Sequence, residues 1–250
     1  NHLDVFIEKP VSDRLEGLDK LVETLRSHNL ISMAGCNMRF DAGVSKVKQL
    51  LKENAIGRVY SVRAEFGSDV TQWRPGTDYL DNFATQKKLG GGIILDAIHE
   101  LDYVSWFVGS PPEKYYSIAG IIGDLETETE DMCVIICRFP GEILGEIHMD
   151  YLQKTYSRSC KIIGEKGNIE WDFESHQVKM FLEEKKEWVI CLTQPEFDIN
   201  DMYVKEIKYF LDCKSKRVQP FNNISETMGV LRWAISMREQ FYQELESKVA

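Results

Sequence analysis

The sequence has no CxxC pair, no apolar run of membrane-spanning length and no surplus of positive charge. Each absence excludes a class of protein. The cysteines at 36, 133, 137, 160, 191 and 213 sit mostly inside apolar, strand-like runs. That usage fits reduced, buried thiols better than a disulfide framework or a zinc site. The longest apolar runs, such as Met132–Cys137 and Ile93–Leu95, fall far short of the roughly 20 residues a spanning helix needs. Lys and Arg number 30 against 40 Asp and Glu, a net charge of −10, the wrong sign for a nucleic-acid surface. No charged-then-apolar leader opens the chain, so a cytoplasmic protein with no membrane partner is expected. Internal repeats, low-complexity stretches and Pro/Gly-rich linkers are missing too. What remains is 250 residues, 43% apolar and 28% charged, enough for one large globular domain or two modest ones.

Local patterning divides the chain near residue 40. Leu3–Ile7 is a short apolar run stopped by Glu8-Lys9-Pro10, and Leu30–Cys36 is a second. Between them Leu15, Leu18, Val22 and Leu25 share a helical face, with Ser12 or Asp13 as the cap. Strand, helix and strand in so short a span predict a βαβ unit with parallel strands. Asp41 caps a further helix, stopped at Gly57, and Val59–Val70 alternates as a half-exposed strand does. Leu95–Val108 is helical in spacing. After residue 113 strand patterns dominate: Lys114–Ile122, Met132–Phe139, Ile143–Tyr151, Cys160–Ile163, Ile169–Phe173, Val178–Phe181 and Trp188–Leu192. Two helices, about Asn200–Cys213 and Ser225–Leu245, close the chain. The predicted class is α+β: a small parallel remnant over residues 1–40, then a large, mainly antiparallel, open-faced sheet with flanking helices over residues 41–250.

Three stretches can carry chemistry. Lys9 stands at the C-terminal end of a parallel strand, where open α/β sheets bind ligands. The alternative is a solvated lysine in a strand-to-helix turn. Gly90-Gly91-Gly92 precedes a helix bearing Asp96, His99 and Asp102 at spacings of three. One helical face would then set a carboxylate beside an imidazole, as a general base requires, or would merely make a structural His–Asp contact. Asn37-Met38-Arg39-Phe40 follows the second strand, and Arg39 can clamp a substrate anion or pair with an acidic neighbour. No metal site is expected, because no second His or Cys lies at ligand spacing. The acidic run Asp124–Asp131 reads more simply as a solvated edge than as a calcium site.

Taken in order, EKP after a strand, N-x-R-F after the next, then GGG…D…HE-x-D…W-x-x-G resembles the Gfo/Idh/MocA family of NAD(P)-dependent sugar oxidoreductases. Gly57-Arg58-Val59 and Ile162–Ile169 are further similar features, and the resemblance runs along essentially the whole chain. It implies that Lys9 binds a substrate hydroxyl and that His99 takes the hydroxyl proton while hydride leaves the same carbon. Asp96 matches the acidic partner, one residue closer to the histidine than in many members. Glu8, Lys9 and Pro10 would border the cofactor, with a cis bond before Pro10. Asn37, Arg39, Trp73 and Asp102 would contact the substrate, a sugar or nucleotide sugar. Members also carry a G-x-G-x-x-G turn ahead of these motifs, and this sequence has none. Hydride transfer with NAD or NADP is therefore expected of the family half represented here, with the chain inactive alone. The alternative is a non-catalytic sugar-binding or assembly module. A dehydratase or isomerase retaining NAD would use the same residues. The apolar residues of both parities in Met132–Cys137 and Ile143–His148 imply a homodimer or homotetramer through the open sheet face.

Overall fold

In the computed structural model, which describes residues 3–249, the two halves fold as different layers. β1 (Val5–Glu8) and β2 (Ser32–Gly35) pair in parallel from Val5↔Ser32 to Glu8↔Gly35. α1 (Leu18–Ser27) makes the crossover and buries Leu18 and Leu25. It starts later than the Ser12 or Asp13 cap predicted. Asp13 is occupied elsewhere, its carboxylate by Arg14 and its carbonyl by Arg238, and the helix begins behind Gly17, whose φ of 80° suits glycine alone. β2 is fully buried, whereas β1 has its second edge unpaired among the described residues.

Past a 3₁₀ turn over Asn37–Phe40, Asp41 caps α2 (Ala42–Lys52) through Oδ1 and the Val44 N–H at 2.9 Å. Val44, Val47 and Leu50 then face the core. β3 (Val59–Gly67) leads to a long loop and two consecutive helices, α3 (Ile93–Asp96) and α4 (Ile98–Val108).

The second sheet has eight strands: β3 with β4 (Lys114–Gly120), β5 (Met132–Phe139), β6 (Ile143–Asp150), β7 (Ser157–Gly164), β8 (Gly167–Asp172), β9 (Gln177–Leu182) and β10 (Glu187–Thr193). Their order is β10-β9-β8-β7-β3-β6-β5-β4, and only β3 and β6 run parallel. α5 (Asn200–Lys216) and α6 (Ile224–Val249) complete the fold. α2, α4 and α6 cover one face of the large sheet, so burial alternates strictly along β5. Its inward Cys133, Ile135 and Cys137 are buried, while the outward Val134 and Ile136 stay exposed beside Tyr116, Ile118 and Leu144. This is the predicted α+β architecture, with one sheet face uncovered. No helix among the described residues is long and apolar enough to cross a membrane.

Candidate active site

The loop between β3 and α3 is built from short turns, and the first three are started by an Asx side chain. Asp69, Asp78 and Asn82 accept from the N–H two residues on, at 3.1, 2.9 and 3.2 Å. This string of turns delivers Gly90–Gly92 under the rest of the loop. A side chain on Gly91 would overlap the carbonyl oxygens of Phe83 and Ala84. One on Gly92, at φ +113°, would overlap the Glu130 carboxyl. Only glycine allows this close approach.

α3 is a single turn. The chain then breaks at Ala97 (φ −89°, ψ 27°) before α4 begins. The predicted continuous helix with Asp96, His99 and Asp102 on one face is therefore corrected. The break turns Asp96 away from His99 and toward β1. There Lys9 Nζ donates to the Asp96 carbonyl oxygen and lies 3.4 Å from Asp96 Oδ1. The Tyr151 hydroxyl donates to Asp96 Oδ2 at 3.2 Å. Trp73 meets the Tyr151 ring edge-on at 5.3 Å and donates from Nε1 to Ser68 Oγ at 2.9 Å.

His99 stands in the first turn of α4 and, with Lys9, Pro10, Cys36 and Asp102, lines a cavity of about 20 Å³ between the ends of β1 and β2 and the helices α4 and α6. Burial pushes its pKa well below the ordinary value, and the cations of Lys9 and Arg158 push it the same way. The imidazole is accordingly neutral at physiological pH, a base with a free lone pair beside an ammonium. No carboxylate orients it, contrary to expectation, because Asp102 is spent on another partner.

That partner is Arg39. Its Nε and Nη2 meet the two Asp102 oxygens at 2.8 and 2.7 Å, and both side chains are 5% exposed or less. Burial works against the Arg39 charge, and the Asp102 carboxylate more than reverses the effect, holding the pKa above its usual value. The guanidinium also lies 5.4 Å from the Trp106 ring centre. Of the two roles the sequence leaves open for Arg39, substrate clamp or partner of an acidic neighbour, the structure shows the second. The fold buries it in a fork-to-fork pair, which also removes the Asp102 carboxylate from substrate.

The remaining sequence candidates border the same strand ends. Glu8 Oε2 accepts from the Lys9 N–H at 3.3 Å and packs against Gly35. The Lys9–Pro10 bond is cis. Asn37 is buried, and its Oδ1 has no partner among the described residues. The end of β1 with this orphaned acceptor beyond β2 fits the nicotinamide end of a dinucleotide. The described residues include no G-x-G-x-x-G turn for its pyrophosphate.

Sequence reasoning missed Tyr151, Glu100 and Arg158. The alternation Ile147, Met149, Tyr151 marked Tyr151 as inward-facing, which was a usable signal. Glu100 and Arg158 pair at 2.8 Å, both buried, with burial raising the Glu100 pKa. Nothing local announces that partnership across 58 residues.

A small parallel βαβ layer with a lysine at its strand ends, set against a large open-faced sheet, defines an α+β class of fold with a candidate ligand site at those strand ends. The family model described as the GFO/IDH/MocA C-terminal domain matches residues 44–170, and the chain belongs to this oxidoreductase family. Among relatives, it is 26% identical over 226 residues to myo-inositol 2-dehydrogenase of Thermotoga maritima, covering 83% of this chain and 61% of that one. It is 27% identical over 202 residues to 2,7-anhydro-N-acetylneuraminate hydratase of Escherichia coli, covering 79% and 53%. The chain thus spans between half and two thirds of these relatives' lengths. A solved levoglucosan dehydrogenase in complex with NADH and levoglucosan has the same fold, with a TM-score of 0.81 over 94% of this chain and 71% of that one, at 16% identity.

Proposed function

We propose that this chain carries the catalytic and substrate-binding part of an NAD(P)-dependent dehydrogenase acting on a secondary hydroxyl of a sugar, an activated amino sugar or a polyol. The observation that carries the reading is the meeting of Lys9, anchored on Asp96, with a neutral His99 in one cavity at the end of β1. The Lys9 ammonium donates to the substrate hydroxyl oxygen and holds it next to His99. Asp96 keeps that ammonium aimed, and Tyr151 keeps the Asp96 carboxylate aimed. His99 accepts the hydroxyl proton as the C–H bond breaks, leaving a carbonyl product and an imidazolium. A bound nicotinamide supplies the hydride acceptor, beside Glu8, Lys9, Pro10 and Asn37. The positive charge of Lys9 stabilises the developing alkoxide in a low-dielectric pocket. Trp73, one ring beyond Tyr151, fits a contact to the sugar face.

Residues 1–40 belong, in this reading, to a nucleotide-binding unit, and 41–250 form the substrate and assembly unit. The uncovered sheet face, with Tyr116, Ile118, Val134, Ile136 and Leu144 exposed, is suited to a second copy of the chain. Substrate-dependent NADH or NADPH formation by the full gene product, over a panel of sugars and polyols, tests the proposal. No reduced cofactor with any of them would end it. The hydratase relatives favour a second reading, in which the same residues serve elimination or hydration around a retained NAD. Substrate consumed without accumulation of reduced cofactor would select it.

A further inference from the structure

Glu130 is fully buried in the strap before β5, and nothing in the reading above uses it. Its backbone carbonyl accepts from the Ile93 N–H at 3.0 Å, and its Oε1 accepts from the Ile94 N–H at 3.2 Å. These are the first two amides of α3, which a one-turn helix cannot satisfy by itself. The carboxyl lies flat against Gly92, where any side chain would displace it. At the other end of the same turn sits Asp96, which holds Lys9. Glu130 therefore anchors the element whose last residue anchors the proposed catalytic lysine.

A second tie comes from α6. Arg238 is buried, and its Nη1 donates to the Asp13 carbonyl at 3.0 Å, in the loop that follows Lys9-Pro10. Asp13 also packs on Gly90. Glu130 Oε2 is buried and without a hydrogen-bond partner in the described structure. Arg238 and Tyr242 from α6 face it as a cation and a phenol, with the Arg238 guanidinium 5.5 Å from the Tyr242 ring centre.

We infer that Glu130 is a positioning residue: with Arg238 it holds the turn bearing Asp96 and the loop bearing Lys9 in one relation. The inference rests on the catalytic reading of Lys9 and Asp96, and it adds a response to pH. Burial raises the Glu130 carboxyl to about 7, against its two backbone bonds and the attraction of Arg238, with Asp131 pushing upward as well. The other groups facing it are Tyr242 from α6, with Lys87 lying over its ring at 4.0 Å, Cys133 from β5 and Tyr151 at the end of β6. As pH rises through neutrality Glu130 gains charge, accepts more strongly from the Ile94 N–H and draws Arg238 and Tyr242 inward.

The test follows backbone amides of α3 by hydrogen exchange and NMR in Glu130→Ala and Glu130→Gln, alongside turnover by the full gene product. In Glu130→Ala the Ile94 and Ala97 amides should exchange at least about tenfold faster, and kcat should fall about 10²-fold, the cost of a small misplacement. Glu130→Gln keeps an acceptor for Ile94 and should restore protection and most of kcat. The wild-type Ile94 amide shift should titrate with a midpoint near 7, and that of Glu130→Gln should be flat. Unchanged exchange in Glu130→Ala, or an equal titration in Glu130→Gln, overturns the inference. Loosened exchange with normal kcat overturns it too. A wild-type protein without turnover, yet with the expected exchange and titration, upholds the anchoring and defeats only the dehydrogenase reading.

Discussion

Among the cation–carboxylate pairs around His99, Lys9–Asp96 and Arg39–Asp102 differ in exposure and in geometry. Lys9–Asp96 is 21% and 12% exposed, loosely held at 3.4 Å, and opens onto the end of a strand. Arg39–Asp102 is 3% and 5% exposed, bidentate, and walled by Trp106 and Phe221. A lysine can turn its three donors toward an incoming hydroxyl without losing its carboxylate. The Arg39 fork holds both Asp102 oxygens through Nε and Nη2, and its unpartnered Nη1 is buried in the described structure rather than open to a cleft. Under the proposed function the first pair serves the chemistry, while the second ties α4 to the turn after β2.

The largest effect that sharpens this contrast concerns the residue between the pairs. His99→Ala in the full gene product should lower kcat roughly 10²–10⁴-fold, because the proton leaves only as the transition state forms. A rate within threefold of wild type would remove His99 from the mechanism. Arg39→Ala comes next, measured by denaturant unfolding. It strands a buried carboxylate, and the expected loss of stability is about 3–5 kcal/mol. A loss under about 1 kcal/mol would mean that the pair is solvated and that its burial is misjudged.

A smaller effect should appear at Glu206, buried on α5 with neither oxygen partnered in the described structure. Burial, then the facing charges of Glu8 and Asp102, raise its pKa to about 8. The native state therefore keeps this proton to higher pH than the unfolded chain does. Its contribution to stability is complete below the unfolded carboxyl range and is lost as pH rises through about 8. Glu206→Gln should show a smaller fall in unfolding free energy between pH 5.5 and 8.5 than wild type. An equal fall in both would assign the pH dependence elsewhere, with Glu130 the next candidate.

The sequence made one of the two pairs visible as a possibility and gave the wrong partner for each. Periodicity located the alternating strands because alternation is imposed locally by the pleat, as the buried Val62, Ala64 and Phe66 of β3 illustrate. It also ran α3 and α4 together, since nothing in the local spacing marks the break at Ala97, and the partners of the α3 turn, Lys9 and Glu130, lie far away in sequence. Spacing of three suggested His99 with Asp96 or Asp102, whereas geometry gave these carboxylates to Lys9 and Arg39 across 87 and 63 residues. The Asx-started turns between β3 and α3 were legible in principle at Asp69, Asp78 and Asn82, because that hydrogen bond is local. Long-range partner choice is a property of the packed state, and no single-segment pattern encodes it.

The division of labour between the pairs is tested most directly by measuring kcat and unfolding free energy side by side for Asp96→Asn and Asp102→Asn in the full gene product. The account expects Asp96→Asn to lose roughly 10-fold or more in kcat, with stability within about 1 kcal/mol of wild type. It expects Asp102→Asn to lose about 3 kcal/mol of stability through the uncompensated Arg39 charge. The reverse assignment, with Asp96→Asn destabilised at normal kcat, would contradict it.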